Sequence, residues 1–124
     1  MAGLTLDAGA LIAYERGEPR VREVLRQAYD RGYVPTVPAV VVAEVWRGGS
    51  RSARIARLLN ACVVESLDEP LARLAGELRA RVPEAGAIDA CVAVGALRRG
   101  DAVATSDPGD LRALVGTGHR ILMV

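Results

Sequence analysis

The 124-residue chain contains no lysine and no phenylalanine, and has one histidine, one tryptophan and two cysteines. Each scarcity removes a class of explanation. Although 51% of the residues are apolar, no uncharged run approaches the roughly 18 residues a bilayer span requires, so a membrane helix is excluded. Asp7 interrupts the apolar stretch a secretory leader would need, and nothing basic precedes it. The expected compartment is the cytosol. Cys62 and Cys91 lie inside apolar stretches (ACVV and IDACVAV), which in a reducing compartment implies buried free thiols rather than a disulfide. Together with His119 they cannot assemble a structural zinc set. The missing lysine disfavours a phospho-receiver domain, whose phosphoryl chemistry normally uses one.

Positive charge is therefore carried by arginine alone, 16 residues against 15 acids, for a net +1. If four acids gather in one site, the remaining surface carries 16 arginines against 11 acids, or +5. Arginine suits phosphate, because its planar fork donates two hydrogen bonds to two oxygens at once.

Long linkers, low-complexity tracts and repeats are absent, so residues 1–124 read as a single domain. Strands are expected over 3–7, 33–37, 61–65, 101–105 and 120–124. Helices are expected over 9–16, 19–31, 38–47, 51–60, 69–82, 87–99 and 108–115. Pro19 fits a first helical turn, Val21, Val24, Leu25 and Ala28 give that helix an apolar stripe, and Gly32 stops it. Residues 87–99 are apolar almost all round, which marks a buried helix. Short strands alternating with helices indicate an α/β fold: a parallel sheet of four to five short strands, flanked by helices on both faces.

In such a sheet, ligands bind beyond the carboxyl ends of the strands. Asp7 ends the first strand, and Asp107 follows the strand that finishes at Thr105. Asp89 falls in the first turn of its helix, and Glu44 projects from the helix after the second strand. Right-handed crossovers bring strand ends distant in sequence to one edge, so four carboxylates are expected to converge. Alone they would repel one another and take up protons. A divalent cation resolves the conflict, and an all-oxygen set favours Mg²⁺ or Mn²⁺, one or two ions. The positive end of its helix is expected to keep Asp89 ionised. Such a site is suited to phosphodiester hydrolysis by metal-activated water.

At these residues the sequence resembles the PIN-domain nucleases, most closely the VapC toxins of bacterial VapBC pairs. Four segments carry the resemblance: LTLDAGALIAYERG, VPAVVVAEVWRGG, GAIDACVAVGAL and ATSDPGDL. It implies a PIN-like fold, Mg²⁺- or Mn²⁺-dependent endoribonuclease activity, a homodimer, and a small VapB-type antitoxin whose C-terminal segment covers the site. Asp7, Glu44, Asp89 and Asp107 match the family's acidic quartet, with Asp110 a further acid and Thr105 a matching hydroxyl. Many relatives carry Ser or Thr where Gly9 stands, so a hydroxyl contact is expected to be missing.

Each acid also has an ordinary role to weigh. Asp7 can cap a helix, Asp89 is a favourable first-turn acid, and Glu44 can pair with Arg47. Asp107 suits a Ser-Asp-Pro-Gly turn, and Asp110 suits the surface. Arg47, Arg51 and Arg54 are candidates for RNA phosphate contacts, against a solvated face. Trp46 reads as a core or dimer-interface residue before a base-stacking one, and His119 as a surface residue. A non-catalytic PIN-like module that holds RNA or a partner is the alternative function. A haloacid-dehalogenase-type phosphatase is disfavoured, because Gly9 stands where it needs a second Asp.

Overall fold

In the computed structural model, which describes residues 3–124, five short strands make one parallel sheet. They are β1 (Gly3–Leu6), β2 (Thr36–Pro38), β3 (Val63–Glu65), β4 (Asp101–Thr105) and β5 (Ile121–Met123), in the order β3-β2-β1-β4-β5. Seven α-helices connect them: α1 (Ala8–Glu15), α2 (Pro19–Asp30), α3 (Ala39–Val45), α4 (Ala53–Asn60), α5 (Glu69–Arg81), α6 (Ala87–Arg99) and α7 (Pro108–Val115). A 3-10 turn, Gly49–Ser52, precedes α4.

The strand order fixes where the helices go. From β1 the chain steps through β2 to β3 on one side, then crosses back to β4 and β5 on the other. Because parallel crossovers are right-handed, connections that step in opposite directions cover opposite faces. Accordingly α1 packs with α2, α3 and α4, whereas α6 packs with α5 and α7. Successive side chains of a strand point to opposite faces. Leu4, Thr5 and Leu6 are all fully buried, so both faces are covered at the centre. The reversal lies between β1 and β4, where open α/β sheets form a crevice beyond their strand ends.

Most element boundaries agree with the sequence expectations, and the exceptions have local causes. The second strand pairs only over 36–38, not 33–37. The Tyr33 amide turns back to the Ala28 carbonyl (2.9 Å), and Val34 is 56% exposed. The third strand starts at Val63 because the Ala61 and Cys62 amides still bond to Leu58 and Leu59 of α4. Pro38 is the last residue of β2 and the N-cap of α3, not its first turn. That helix ends at Val45, where Trp46 adopts an extended ψ of 129°.

A partly buried ionic network lies on the α6 face. Arg99 Nε donates to Asp101 Oδ2 (2.9 Å), Nη2 donates to Thr5 Oγ1 (2.9 Å), and Nη1 pairs with Glu65. Thr5 Oγ1 in turn donates to Asp101 Oδ2 (2.8 Å). Two glycines make room for this network. A Cβ on Gly3 would come within 2.5 Å of Asp101 Oδ1, and one on Gly95 within 2.5 Å of Glu65 Oε1.

Both cysteines are free thiols, Cys91 buried and Cys62 partly so, and burial pushes both up from the usual thiol range. Among the described residues, no helix is long and apolar enough to cross a membrane.

Candidate functional site

At the reversal between β1 and β4 lies a cleft of about 150 Å³, lined by five acids: Asp7, Glu44, Asp89, Asp107 and Asp110. No arginine or histidine shares the lining, which is completed by small and apolar residues and Ser106. The four acids of the expected quartet therefore reach one cleft, together with the lesser candidate Asp110.

Asp7 directly follows β1 and is 9% exposed. It caps α1, Oδ1 accepting from the Ala10 amide at 2.9 Å. The capping role and membership of the cleft are thus compatible, since the cap uses one oxygen of two. Burial raises its pKa above the ordinary carboxylate value. The Ala10 amide and the nearby Thr105 hydroxyl oppose the rise, while Asp89 and Glu44 add to it. Thr105 Oγ1 also accepts from the Asp107 amide (3.0 Å). Its single proton can serve the Asp107 carbonyl (3.1 Å) or the Asp7 carboxylate.

Asp89 occupies the first turn of α6, where the amides have no side-chain cap. That helix end was expected to hold it ionised, but partial burial raises its pKa, and Asp110 and Asp107 push the same way. Removal from water outweighs the helix end here. Glu44 stands exposed in the last turn of α3, and Arg47 donates to its backbone carbonyl (3.0 Å) rather than pairing with its carboxylate. Asp107 caps α7 through the Gly109 amide (3.3 Å), and Asp110 lies in the first turn of that helix.

The donors are all oxygens, negatively charged and without a cation in the lining, a chemistry that fits Mg²⁺ or Mn²⁺. Among the described residues, no three of the acids stand close enough to form a ready chelate. Mg²⁺, which keeps several waters and is held by one or two carboxylates, does not require such a chelate.

Ser106 was missed by the sequence reading. A Cβ on Gly9 would fall 2.1 Å from Ser106 Oγ, so position 9 must be bare for the serine to occupy that space. A hydroxyl does reach the cleft, from the β4–α7 turn instead of from α1. No sequence pattern pairs these two positions.

The arginine candidates lie elsewhere. Arg47 closes the end of α3, donating to the Glu44 and Trp46 carbonyls. Arg54 donates to the Glu15 carbonyl at the end of α1 (2.9 Å), and Arg51 is exposed on the 3-10 turn. None lines the acidic cleft. Trp46 is 42% exposed and so is not a core residue of this chain. His119 is half-buried, its Nε2 against the Asp101 carbonyl, rather than free at the surface.

The chain is similar in fold to several solved structures. It is similar to VapBC2 from Rickettsia felis bound to a promoter DNA fragment, with 14% identity, 96% of each chain covered and a TM-score of 0.73. It is similar to DNA-bound VapBC from Salmonella typhimurium, with 18% identity, 98% and 97% covered and a TM-score of 0.73. FitAcB from Neisseria gonorrhoeae gives 21% identity, 96% of each chain and a TM-score of 0.69. At these identities the likeness speaks for the fold. No curated protein sequence matches the chain at a significant level. The family model described as "PIN domain" matches residues 4–114. Covering most of the strands and every acid of the cleft, that match establishes that the chain belongs to the PIN-domain family.

Proposed function

We propose that the chain is a divalent-metal-dependent endoribonuclease, acting in the cytosol as the toxin of a type II toxin–antitoxin pair. One observation carries the reading: five carboxylates line one cleft with no basic residue among them, and Asp7 and Asp89 are both pushed toward the protonated form. Structural acids are ordinarily partnered, because an unpaired charge is costly to remove from water. Acids gathered without a cationic partner call for a cation from outside.

In this reading Asp7 and Asp89, with Glu44 and Asp107, would hold Mg²⁺ or Mn²⁺, and Asp110 lines the same cleft. When bound, the ion lowers the pKa of an attacking water and offsets charge on the leaving oxygen. The Ala10 amide keeps the Asp7 carboxylate oriented, and Thr105 holds the turn that carries Asp107. Glu44, exposed and without an ion pair among the described residues, is able to accept the proton from water at its carboxylate. No Ser, Cys or Lys nucleophile is needed. The resemblance to VapC toxins, and to structures bearing the VapBC and FitAcB names, supports a VapB-type antitoxin partner and a homodimer.

The test is cleavage of end-labelled RNA by the purified protein with and without Mn²⁺, alongside Asp7→Asn and Asp89→Asn. Asparagine is as good an N-cap as aspartate, so Asp7→Asn preserves the start of α1. The parent should cut only with metal, and neither variant should cut while both keep the parent's circular dichroism. A variant that cuts as fast as the parent removes the catalytic assignment. Calorimetry showing no Mn²⁺ binding would leave a module that holds RNA or a partner without cutting it.

A further inference from the structure

We propose that Arg22, Arg54 and Arg57, gathered around Tyr14, form a second site that binds the phosphodiester backbone of single-stranded RNA. These four residues line a cleft of about 250 Å³. It adjoins a wider one of about 490 Å³ that shares Tyr14, Arg22 and Arg57 and adds Arg26, Tyr29 and the apolar Leu25, Leu58 and Ala61. No carboxylate belongs to either lining.

The guanidinium groups converge. Arg22 Nη2 lies 3.5 Å, and Arg54 Nη1 3.8 Å, from the point where a Cβ on Gly17 would sit. Gly17 has φ +75°, the left-handed turn that follows α1, and both guanidinium groups lie within ordinary van der Waals reach of it. Like charges gathered on one surface favour an anion beside them. Among the described residues none of the three arginines is in an ion pair, and the one bond recorded for their heads is from Arg54 to the Glu15 carbonyl. Arg26, at the edge of the wider cleft, shows the alternative, being neutralised by Glu23 and Asp30.

Several separate forks around an aromatic ring fit a ligand that presents anions at intervals with flat bases between them. Phosphates take the forks, and a base can stack on Tyr14. An acidic peptide could use the charges and the apolar residues of the wider cleft, but the narrower one presents only arginines and a ring. The site also connects to the acidic cleft through α1, which has Asp7 as its N-cap and Tyr14 near its end. Seven residues of helix rise about 10 Å, and a stacked strand advances about 3.4 Å per nucleotide. About three nucleotides would join the two sites. The inference rests on the ribonuclease reading for its choice of ligand, but binding can be measured without cleavage.

The experiment is fluorescence anisotropy of a short, labelled, mixed-sequence RNA over a range of salt, in EDTA, with the RNA verified intact afterwards. The parent is compared with Arg22→Gln/Arg54→Gln/Arg57→Gln. A control of equal charge, Arg31→Gln/Arg81→Gln/Arg98→Gln, alters exposed arginines elsewhere. Each single-strand phosphate contact contributes about 0.7 to the slope of log affinity against log salt. The cluster variant should therefore lose about 2 from the slope and the control far less. Arg22→Gln/Arg57→Gln leaves the Arg54 bond to α1 in place and should lose about 1.4 on the same scale. Equal losses from cluster and control, or no loss from the cluster, would overturn the site. Arginine-dependent preference for poly-glutamate over RNA would overturn it in favour of an acidic protein partner. A parent that shows the arginine-dependent slope but never cleaves RNA would overturn the proposed activity and leave this site standing.

Discussion

Glu65 and Asp101 share one arginine on the α6 face of the sheet, whereas the five acids beyond its strand ends share a cleft with none. Both groups are carboxylates carried by the same sheet and its helices, and both include buried members. In the first, the chain supplies the counter-charge itself, and Gly3 and Gly95 clear the space. In the second it supplies only backbone amides and hydroxyls, too weak to offset removal from water, so Asp7 and Asp89 are raised in pKa. An acid that the fold has neutralised serves the structure. Acids left without a cation are positioned for one that arrives with function.

The sharpest way to break the contrast is to neutralise one acid of the cleft. Asp89→Asn should lower metal-dependent RNA cleavage by roughly 10³-fold. That corresponds to losing about 4 kcal/mol of the several that a bound metal contributes. Single-turnover rates at saturating RNA would measure it, and the stability of the metal-free protein should not fall.

The compensated pair should behave in the opposite way. Arg99→Met strands two carboxylates and should cost about 3 kcal/mol of stability. This is the low end for a broken buried pair, because the Arg99 and Glu65 side chains remain 27% and 24% exposed. Urea unfolding would read it. A loss below about 0.5 kcal/mol would place the network with ordinary surface pairs.

Metal addition separates the two groups again. Mn²⁺ at a hundredfold excess over its Kd should stabilise the parent by about 2.7 kcal/mol. Asp7→Asn should show little of this gain, while Arg99→Met should retain it. Thermal melts with and without the ion would decide.

The smallest effect is on pH. Asp7 and Asp89 have folded pKa values raised above the ordinary 3.8. Their ionisation therefore costs the metal-free fold nothing at low pH, and the cost grows as pH rises through the raised values. Metal-free protein should lose part of its stability from about pH 4 upward, attributable to these two groups. The fall should be shallower in Asp7→Asn. An equal slope in both proteins would mean that Asp7 is not strained by its surroundings.

Much of the site was legible in the chain because its signals are local. Asp7 follows an apolar strand, Asp107 precedes Pro108 and Gly109, and Asp89 sits in the first turn of an apolar helix; strand ends meet wherever crossovers are right-handed. What could not be read depends on contacts between segments distant in sequence. Ser106 and Gly9 fit one another across the cleft, and neither alone indicates it. Arg22 lies on α2 and Arg57 on α4, and only the packing of both helices around α1 brings them to Tyr14. The surroundings of Arg47 and Trp46 could not be read for a related reason. The chain turns extended after Val45, so Arg47 closes a helix end and Trp46 stays half in water.

The order of strands and helices, the apolar core and the identity of the acids were determined by the sequence, because periodicity, capping and turn chemistry act over a few neighbouring residues. The tertiary structure alone decided which charges acquired partners. A side chain's cost of leaving water depends on what packs against it from far along the chain, and no local pattern records that.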